Sequence, residues 1–249
     1  MRAILTYHSI DASGSPISLH PETFARHVQW LSSGRVRVLP LADLISLPDG
    51  DGHHAVALTF DDGFANFTTA AWPHLRDRGL PATIFVVTGH VGGFNKWGGY
   101  ATAGIPTLPL ATWDTLARCM EEGVEIAAHT RTHAHLPSLE PGQVADEIGS
   151  SVHDIQARLG CRPRSFAYPY GAVTPAVAAA AGSVCSWACT TDYQPLRPDA
   201  DPRRLPRLDA YYFQDAGCFR GWGSGWFRAR VAFRHRLRTA RALAGGHRR

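Results

Sequence analysis

At 249 residues, with 45% hydrophobic and 18% charged side chains, the chain can bury a full core, and a single barrel-sized domain fits its length. The formal net charge of +4 is unevenly spread: nine of the 25 basic residues and none of the 21 acidic ones lie between Phe219 and Arg249. Residues 1–218 therefore carry 16 basic against 21 acidic groups, a net −5, and no run of eighteen apolar residues exists to form a spanning helix.

The opening Met1-Arg2-Ala3-Ile4-Leu5-Thr6-Tyr7 passes straight into a strand expected over Arg2–Tyr7. It lacks the charged, apolar and small-residue plan of a secretion signal, so a cytoplasmic location is expected. His8 ends this strand and can face the same rim as later strand ends, or serve as a structural hydrogen-bonding group. Pro21 opens a helix to about Leu31, with Phe24, Val28 and Leu31 on one face. A strand at Arg35–Leu39 and a short helix at Leu41–Leu47 follow.

Ala55–Phe60 is a short apolar run with β-branched and aromatic residues, which predicts a buried strand. It stops at Asp61-Asp62-Gly63, where glycine permits a turn that other residues resist. Phe64–Arg78 is expected to be helical up to Gly79, and Ala82–Val87 to be a strand. Gly89 to Leu110 breaks the alternation with six glycines and two prolines. A long irregular connection of this kind is often a lid or a binding loop, and Trp97 and Tyr100 within it are candidate stacking surfaces for a ligand or rings that pack on the barrel rim. A helix at Thr112–Glu122 leads to a strand at Val124–Ala128, and His129 follows that strand.

The remaining predicted elements are a helix at Pro141–Leu159, a strand at Ser165–Tyr168, a helix at Thr174–Ala181 and a strand at Val184–Ala188. Alternating strands and helices, with functional groups after the strands, describe an open α/β sheet or a barrel. Cys119, Cys161, Cys185, Cys189 and Cys218 offer no second metal-ligand pattern and read as thiols in a reducing compartment.

Two stretches carry the chemistry. Thr59-Phe60-Asp61-Asp62-Gly63 places two adjacent carboxylates at a strand end. His129-Thr130-Arg131-Thr132-His133 places two imidazoles four residues apart, to be brought together by a helical turn or a tight loop. One Asp with two His is a ligand set for a divalent metal of the zinc type, with a position left for water. Neighbouring Asp side chains on an extended chain point different ways, so one can ligate while the other takes a proton from that water.

These two stretches resemble the first two signature motifs of the polysaccharide deacetylase family, the NodB-homology group, and Phe166-Ala167-Tyr168-Pro169-Tyr170-Gly171 is similar to its third. The likeness covers about residues 1–210. It implies a distorted (β/α) TIM-like barrel of seven or eight strands. It also implies a metal held by Asp62, His129 and His133, most readily Zn2+, with Co2+, Ni2+ or Mn2+ as alternatives. Asp61 would be the general base. The Tyr170 backbone N–H would be an oxyanion donor, and its ring part of the sugar-binding wall. The implied reaction removes an acyl group, usually acetyl, from an amino sugar, oligosaccharide or polysaccharide, on nitrogen or oxygen. Hydrolysis of another C–N bond, in a formamide or a cyclic amide, and a non-catalytic carbohydrate-binding role are the alternatives.

The sequence departs from the family pattern in two places. Leu205-Pro206-Arg207-Leu208 stands where many members carry a late His, in a Leu-x-His motif, as the general acid, and Ala167 where many carry an Arg that orients the base. Arg207 is the candidate to replace that charge. Asp192-Tyr193 resembles the fourth motif and makes Asp192 a second candidate for orienting the base.

The catalytic barrel is expected over residues 1–215 and a basic amphipathic tail over 216–249. Trp226, Ala229, Phe233, Leu237, Ala240 and Ala244 follow a helical stripe, with Arg228, Arg230, Arg234, Arg236, Arg238 and Arg241 largely off it. Such a helix suits peripheral contact with an anionic membrane, or packs its stripe on the barrel. No nucleic-acid recognition motif accompanies the charge, and no nucleic acid is expected as a partner.

Overall fold

A computed structural model describes residues 1–48, 53–215 and 217–245, with side chains through residue 240. Ala244 of the tail stripe and Arg241 beside it lie outside the described side chains. The strands are β1 (Arg2–Tyr7), β2 (Ser9–Ile10), β3 (Ser18–Leu19), β4 (Arg37–Val38), β5 (Ala55–Phe60), β6 (Thr83–Val86), β7 (Glu125–Ala128), β8 (Ser165–Ala167), β9 (Trp187–Cys189) and β10 (Leu208–Asp209). The helices are α1 (Pro21–Leu31), α2 (Leu41–Ser46), α3 (Trp72–Arg76), α4 (Trp113–Glu121), α5 (Pro141–Leu159), α6 (Pro175–Val184) and α7 (Gly225–Gly245).

Eight strands form one parallel sheet in the order β10-β1-β5-β6-β7-β8-β9, with β4 also paired to β5. Its edges approach one another: Cys189 of β9 bridges Leu205, three residues before β10. The result is the curled, distorted (β/α) barrel expected from the resemblance. Parallel strands covered by helices on one side and by each other within the curl are buried on both faces. All six residues of β5 are accordingly buried.

Side-chain alternation along the strands divides the core in two. Ile4, Ala55, Ala57, Phe85, Ala127, Ala167, Cys189 and Leu205 fill the interior of the curl. The alternate residues, among them Leu5, Val56, Leu58, Ile84 and Ile126, meet the helices in the larger cluster. The alanines inside β5, β7 and β8 suit an interior too narrow for a second layer of large side chains.

Two predicted helices change shape. Phe64–Arg78 is not one helix: a π-helical turn at Phe67–Ala71 precedes α3. Pro73 explains the break, since it lacks an N–H and its ring crowds the preceding turn. The helix expected to stop at Ala181 continues to Val184, so β9 begins only at Trp187. The helix-opening and helix-closing residues of α5 act as expected from Pro141 and Gly160: a capping box joins Glu140 and Gln143, and Gly160 is left-handed at φ 71°.

The segment after residue 215 joins the same core. Phe219, Trp222, Phe227 and Val231 are buried in the cluster that holds Leu31 and Tyr7. Buried His27 on α1 ties the two ends of the chain together: its Nε2 donates to the Phe213 carbonyl (2.6 Å) and its Nδ1 accepts from the Tyr7 hydroxyl (3.1 Å). Burial pushes its pKa down to about 4, so this bridge is held by a neutral imidazole.

Candidate metal centre and catalytic rim

The inward alternation of the strands delivers the site. Thr59 faces inward on β5, so Asp61 does as well, one residue beyond the strand end. In the β1/β5 register Tyr7 pairs with Phe60, which brings His8 next to Asp61. The His8 Nε2 lies 3.9 Å from Asp61 Oδ2, and the imidazole is 23% exposed. Below this pair, Thr6 and Thr59 share a hydrogen bond of 3.0 Å.

Arg207 reaches the same carboxylate from the segment just before β10. It is 1% exposed, and its Nη1 and Nη2 donate to the two oxygens of Asp61 at 2.7 Å each. Its Nε donates to the Thr190 carbonyl at 2.9 Å, and its guanidinium lies over the Phe85 ring. A two-pronged bond of this kind fixes both position and rotation of a carboxylate. Burial alone would raise the Asp61 pKa, but the Arg207 guanidinium holds it below the ordinary carboxylate value. Asp192 is exposed and takes part through its backbone: its carbonyl accepts from the Arg207 N–H at 2.9 Å. The structure therefore brings Arg207, and not the Asp192 carboxylate, onto Asp61.

Asp62 turns away from Asp61 because its backbone is left-handed, at φ 71°. Its Oδ1 lies 3.4 Å from His129 Nε2 and 3.3 Å from His133 Nε2. His129 follows β7 and donates its Nδ1–H to the Ala167 carbonyl at 2.7 Å, which leaves the Nε2 lone pair facing Asp62. Ala167 thus serves the site through its backbone oxygen and not through its side chain. His133 returns through a tight loop in which Thr130 and His133 are both left-handed, at φ 64° and 63°. Its Nδ1 meets the Tyr170 hydroxyl at 3.1 Å.

The donor atoms of Asp62, His129 and His133 lie within 4.8 Å of one another, and all three residues are buried. Asp62 Oδ1 has no hydrogen-bond partner. A buried carboxylate oxygen that faces two imidazole nitrogens without making a hydrogen bond is costly, and a cation between the three satisfies them together. The three residues therefore fit a divalent metal. His129 anchored on a backbone carbonyl is the outer support that metal-ligating imidazoles usually have.

Aromatic rings frame this centre. Trp97 stacks on His133 with centroids 4.4 Å apart, and the Tyr170 ring meets His133 edge-on at 4.7 Å. Tyr170 is left-handed at φ 60° and largely exposed, as are Phe94 and Tyr100 nearby in sequence to Trp97. Among the described residues, the only non-glycine residues with positive φ are Asp62, Thr130, His133 and Tyr170. All four belong to this site. Sequence reasoning missed that feature, because none of the four is a glycine whose presence would have signalled it.

Fold and site together define a barrel hydrolase scaffold with a metal-fitting centre at the carboxyl ends of its strands. The chain belongs to the polysaccharide deacetylase family, whose model matches residues 49–184. It is 25% identical over 203 residues to a poly-beta-1,6-N-acetyl-D-glucosamine N-deacetylase of Staphylococcus epidermidis, covering 77% of this chain and 67% of that protein. It is 34% identical over 133 residues to a chitooligosaccharide deacetylase of Bradyrhizobium, covering 53% of this chain and 52% of that protein. The chain thus spans about half to two thirds of the length of these curated relatives. Two solved structures share the fold: the Streptococcus pyogenes deacetylase PplD (TM-score 0.71, 21% identity, 83% of this chain and 91% of that one) and IcaB from Ammonifex degensii (TM-score 0.71, 24% identity, 84% and 93%).

Proposed function

We propose that this chain is a metal-dependent deacetylase that hydrolyses N-acetyl, or O-acetyl, groups of an amino sugar, oligosaccharide or polysaccharide. The observation that carries this is the pairing of two adjacent carboxylates in opposite states: Asp61 clamped by Arg207, and Asp62 with a partnerless oxygen between two imidazoles. Asp62, His129 and His133 would hold the metal, and one oxygen with two nitrogens suits Zn2+, with Co2+, Ni2+ and Mn2+ as alternatives. Such an ion, when bound, acidifies water and polarises an acyl oxygen.

The chain's own groups do the rest. Asp61, ionised and fixed in rotation by Arg207, takes the proton from the attacking water. The Tyr170 backbone N–H meets the oxyanion that develops on the acyl carbon. Trp97 and the Tyr170 ring form walls for a sugar ring.

His8 is assigned to protonate the leaving amine, since it is a partly exposed imidazole 3.9 Å from Asp61. His8→Ala should then slow hydrolysis of an N-acetyl sugar by about 10²-fold or more, while an activated acetyl ester, whose leaving group needs no proton, loses far less. Equal losses on both substrates would remove His8 from that role.

The location that accompanies this function is the cytoplasm, peripheral at the inner membrane surface. Five unpaired cysteines and the arginine-rich tail support that placement.

Acetate release from chitooligosaccharides and poly-N-acetylglucosamine fragments, before and after chelation, tests the function. Release is expected to vanish on chelation and to return with zinc. Release indifferent to chelation would refute the metal, and a metal-loaded protein inactive on every acetylated sugar would redirect attention to another C–N bond.

A further inference from the structure

Helix α7 has two apolar faces, and only one is used by the barrel. Phe227 and Val231 are buried. Along the same side, Arg234 lies over the Tyr212 ring at 4.5 Å, and Arg238 reaches the Tyr193 ring, Asp209 and the Thr191 carbonyl. His235 sits 3.3 Å from Gln194. At 100° per residue, this docked face lies about 120° around the helix from the face that holds Trp226, Phe233 and Leu237.

Those three side chains point into solvent, at 63%, 65% and 42% exposure. Ala229 and Ala240, also exposed, complete the stripe between them. Arg236 borders it on one edge; on the other, Arg230 lies over the Trp226 ring at 5.2 Å and donates to the Cys218 carbonyl. The helix is already anchored, so this outward stripe is not waiting to fold onto its own barrel.

We infer that the outward face of α7 is a docking surface for an anionic lipid bilayer, with Trp226, Phe233 and Leu237 entering the headgroup boundary. The charge decides the occupant. The segment from Phe219 to Arg249 has nine arginines and no acidic residue, so although Arg230, Arg234 and Arg238 pack toward the barrel, no negative side chain of the segment offsets Arg228 and Arg236. Two copies meeting through this face would bring like charges together, whereas a surface of anionic headgroups complements them. An aromatic and leucine stripe rimmed by arginine is the composition that binds in the plane of a membrane interface. Arg238 touches the Thr191 carbonyl, and the Thr191 hydroxyl touches the Tyr170 carbonyl. These contacts place the docked face of α7 next to the loop that carries Tyr170.

The test is cosedimentation of the intact chain with phosphatidylcholine vesicles, with and without phosphatidylglycerol. The chain should bind only the anionic vesicles. The triple variant Trp226→Gln/Phe233→Gln/Leu237→Gln should bind about tenfold more weakly, with unchanged helix content by circular dichroism. Its acetate release from a soluble chitooligosaccharide should match wild type, so vesicle binding is read independently of what the site hydrolyses. A wild-type chain that stays in the supernatant, or a triple variant that binds as tightly, overturns the assignment. Self-association abolished by the triple variant, in the absence of vesicle binding, overturns it in favour of a second copy.

Discussion

Asp61→Asn should lower the rate of acetate release by about 10²–10⁴-fold, the range that a positioned proton acceptor supplies. Metal binding should survive, because Asp62, His129 and His133 are untouched. The substitution also has a structural cost. Arg207 is buried, and its guanidinium would lose the charge that compensates it; breaking one side of a buried pair costs about 3–5 kcal/mol. For a chain of this size that lowers the melting temperature by roughly 10 °C. Activity is therefore to be compared well below the melting transition. The double variant Asp61→Asn/Arg207→Met removes the stranded charge, so it should recover stability without recovering turnover. Wild-type turnover in Asp61→Asn would rule out the general-base assignment.

Arg207→Met should move the acid limb of the pH–rate profile to higher pH. The active form of Asp61 is the carboxylate, so activity is present above its pKa and lost as pH falls through it. In the folded chain, burial raises that pKa and Arg207 more than offsets the rise, with the net value below the ordinary one. Without the guanidinium, burial acts unopposed by its strongest counterweight and the pKa rises. The loss of kcat/KM is thus larger on the acidic side than on the alkaline side. Stability follows the same sign: the pair's contribution is present above the unfolded carboxylate pKa and disappears as pH falls through the folded one. At neutral pH the variant should lose about 3–5 kcal/mol, read by denaturant unfolding. Arg207→Lys keeps a charge but not the two-pronged bond, and should fall between. An acid limb that stays in place in Arg207→Met would show that Arg207 supports the fold and not the base.

The strands and the metal-fitting residues were legible because their signals are local. A six-residue apolar run ending in Asp-Asp-Gly announces both β5 and its carboxylates, and the third motif announces Tyr170. Other features were not local. β10 is two residues long and follows a proline, so no periodicity marks it; its place is set by pairing with β1. The contact of Arg207 with Asp61 spans 146 residues and depends on how far the sheet curls. The tail stripe was visible as a pattern, yet the pattern does not say which side of the helix is covered. Phe227 and Val231, backed by arginines lying on Tyr193 and Tyr212, pack on the barrel. The longer stripe is left outside. Long side chains such as arginine can cover apolar surface with their stems and planes, which hides a docking face among charged letters.

The four left-handed residues around the metal-fitting centre also set where this protein can be improved. Each such conformation costs on the order of 1–3 kcal/mol and is held only by the structure around it. Ordinarily a glycine at such a position relieves the cost. Here Asp62 and His133 supply donor atoms, Tyr170 supplies a wall, and the Thr130 hydroxyl accepts from the His133 N–H. Relaxing any of them deletes a working part. A thermostabilising programme would therefore leave this loop cluster as it stands and seek its gains in the helices on the far side of the sheet, where flexibility serves no chemistry.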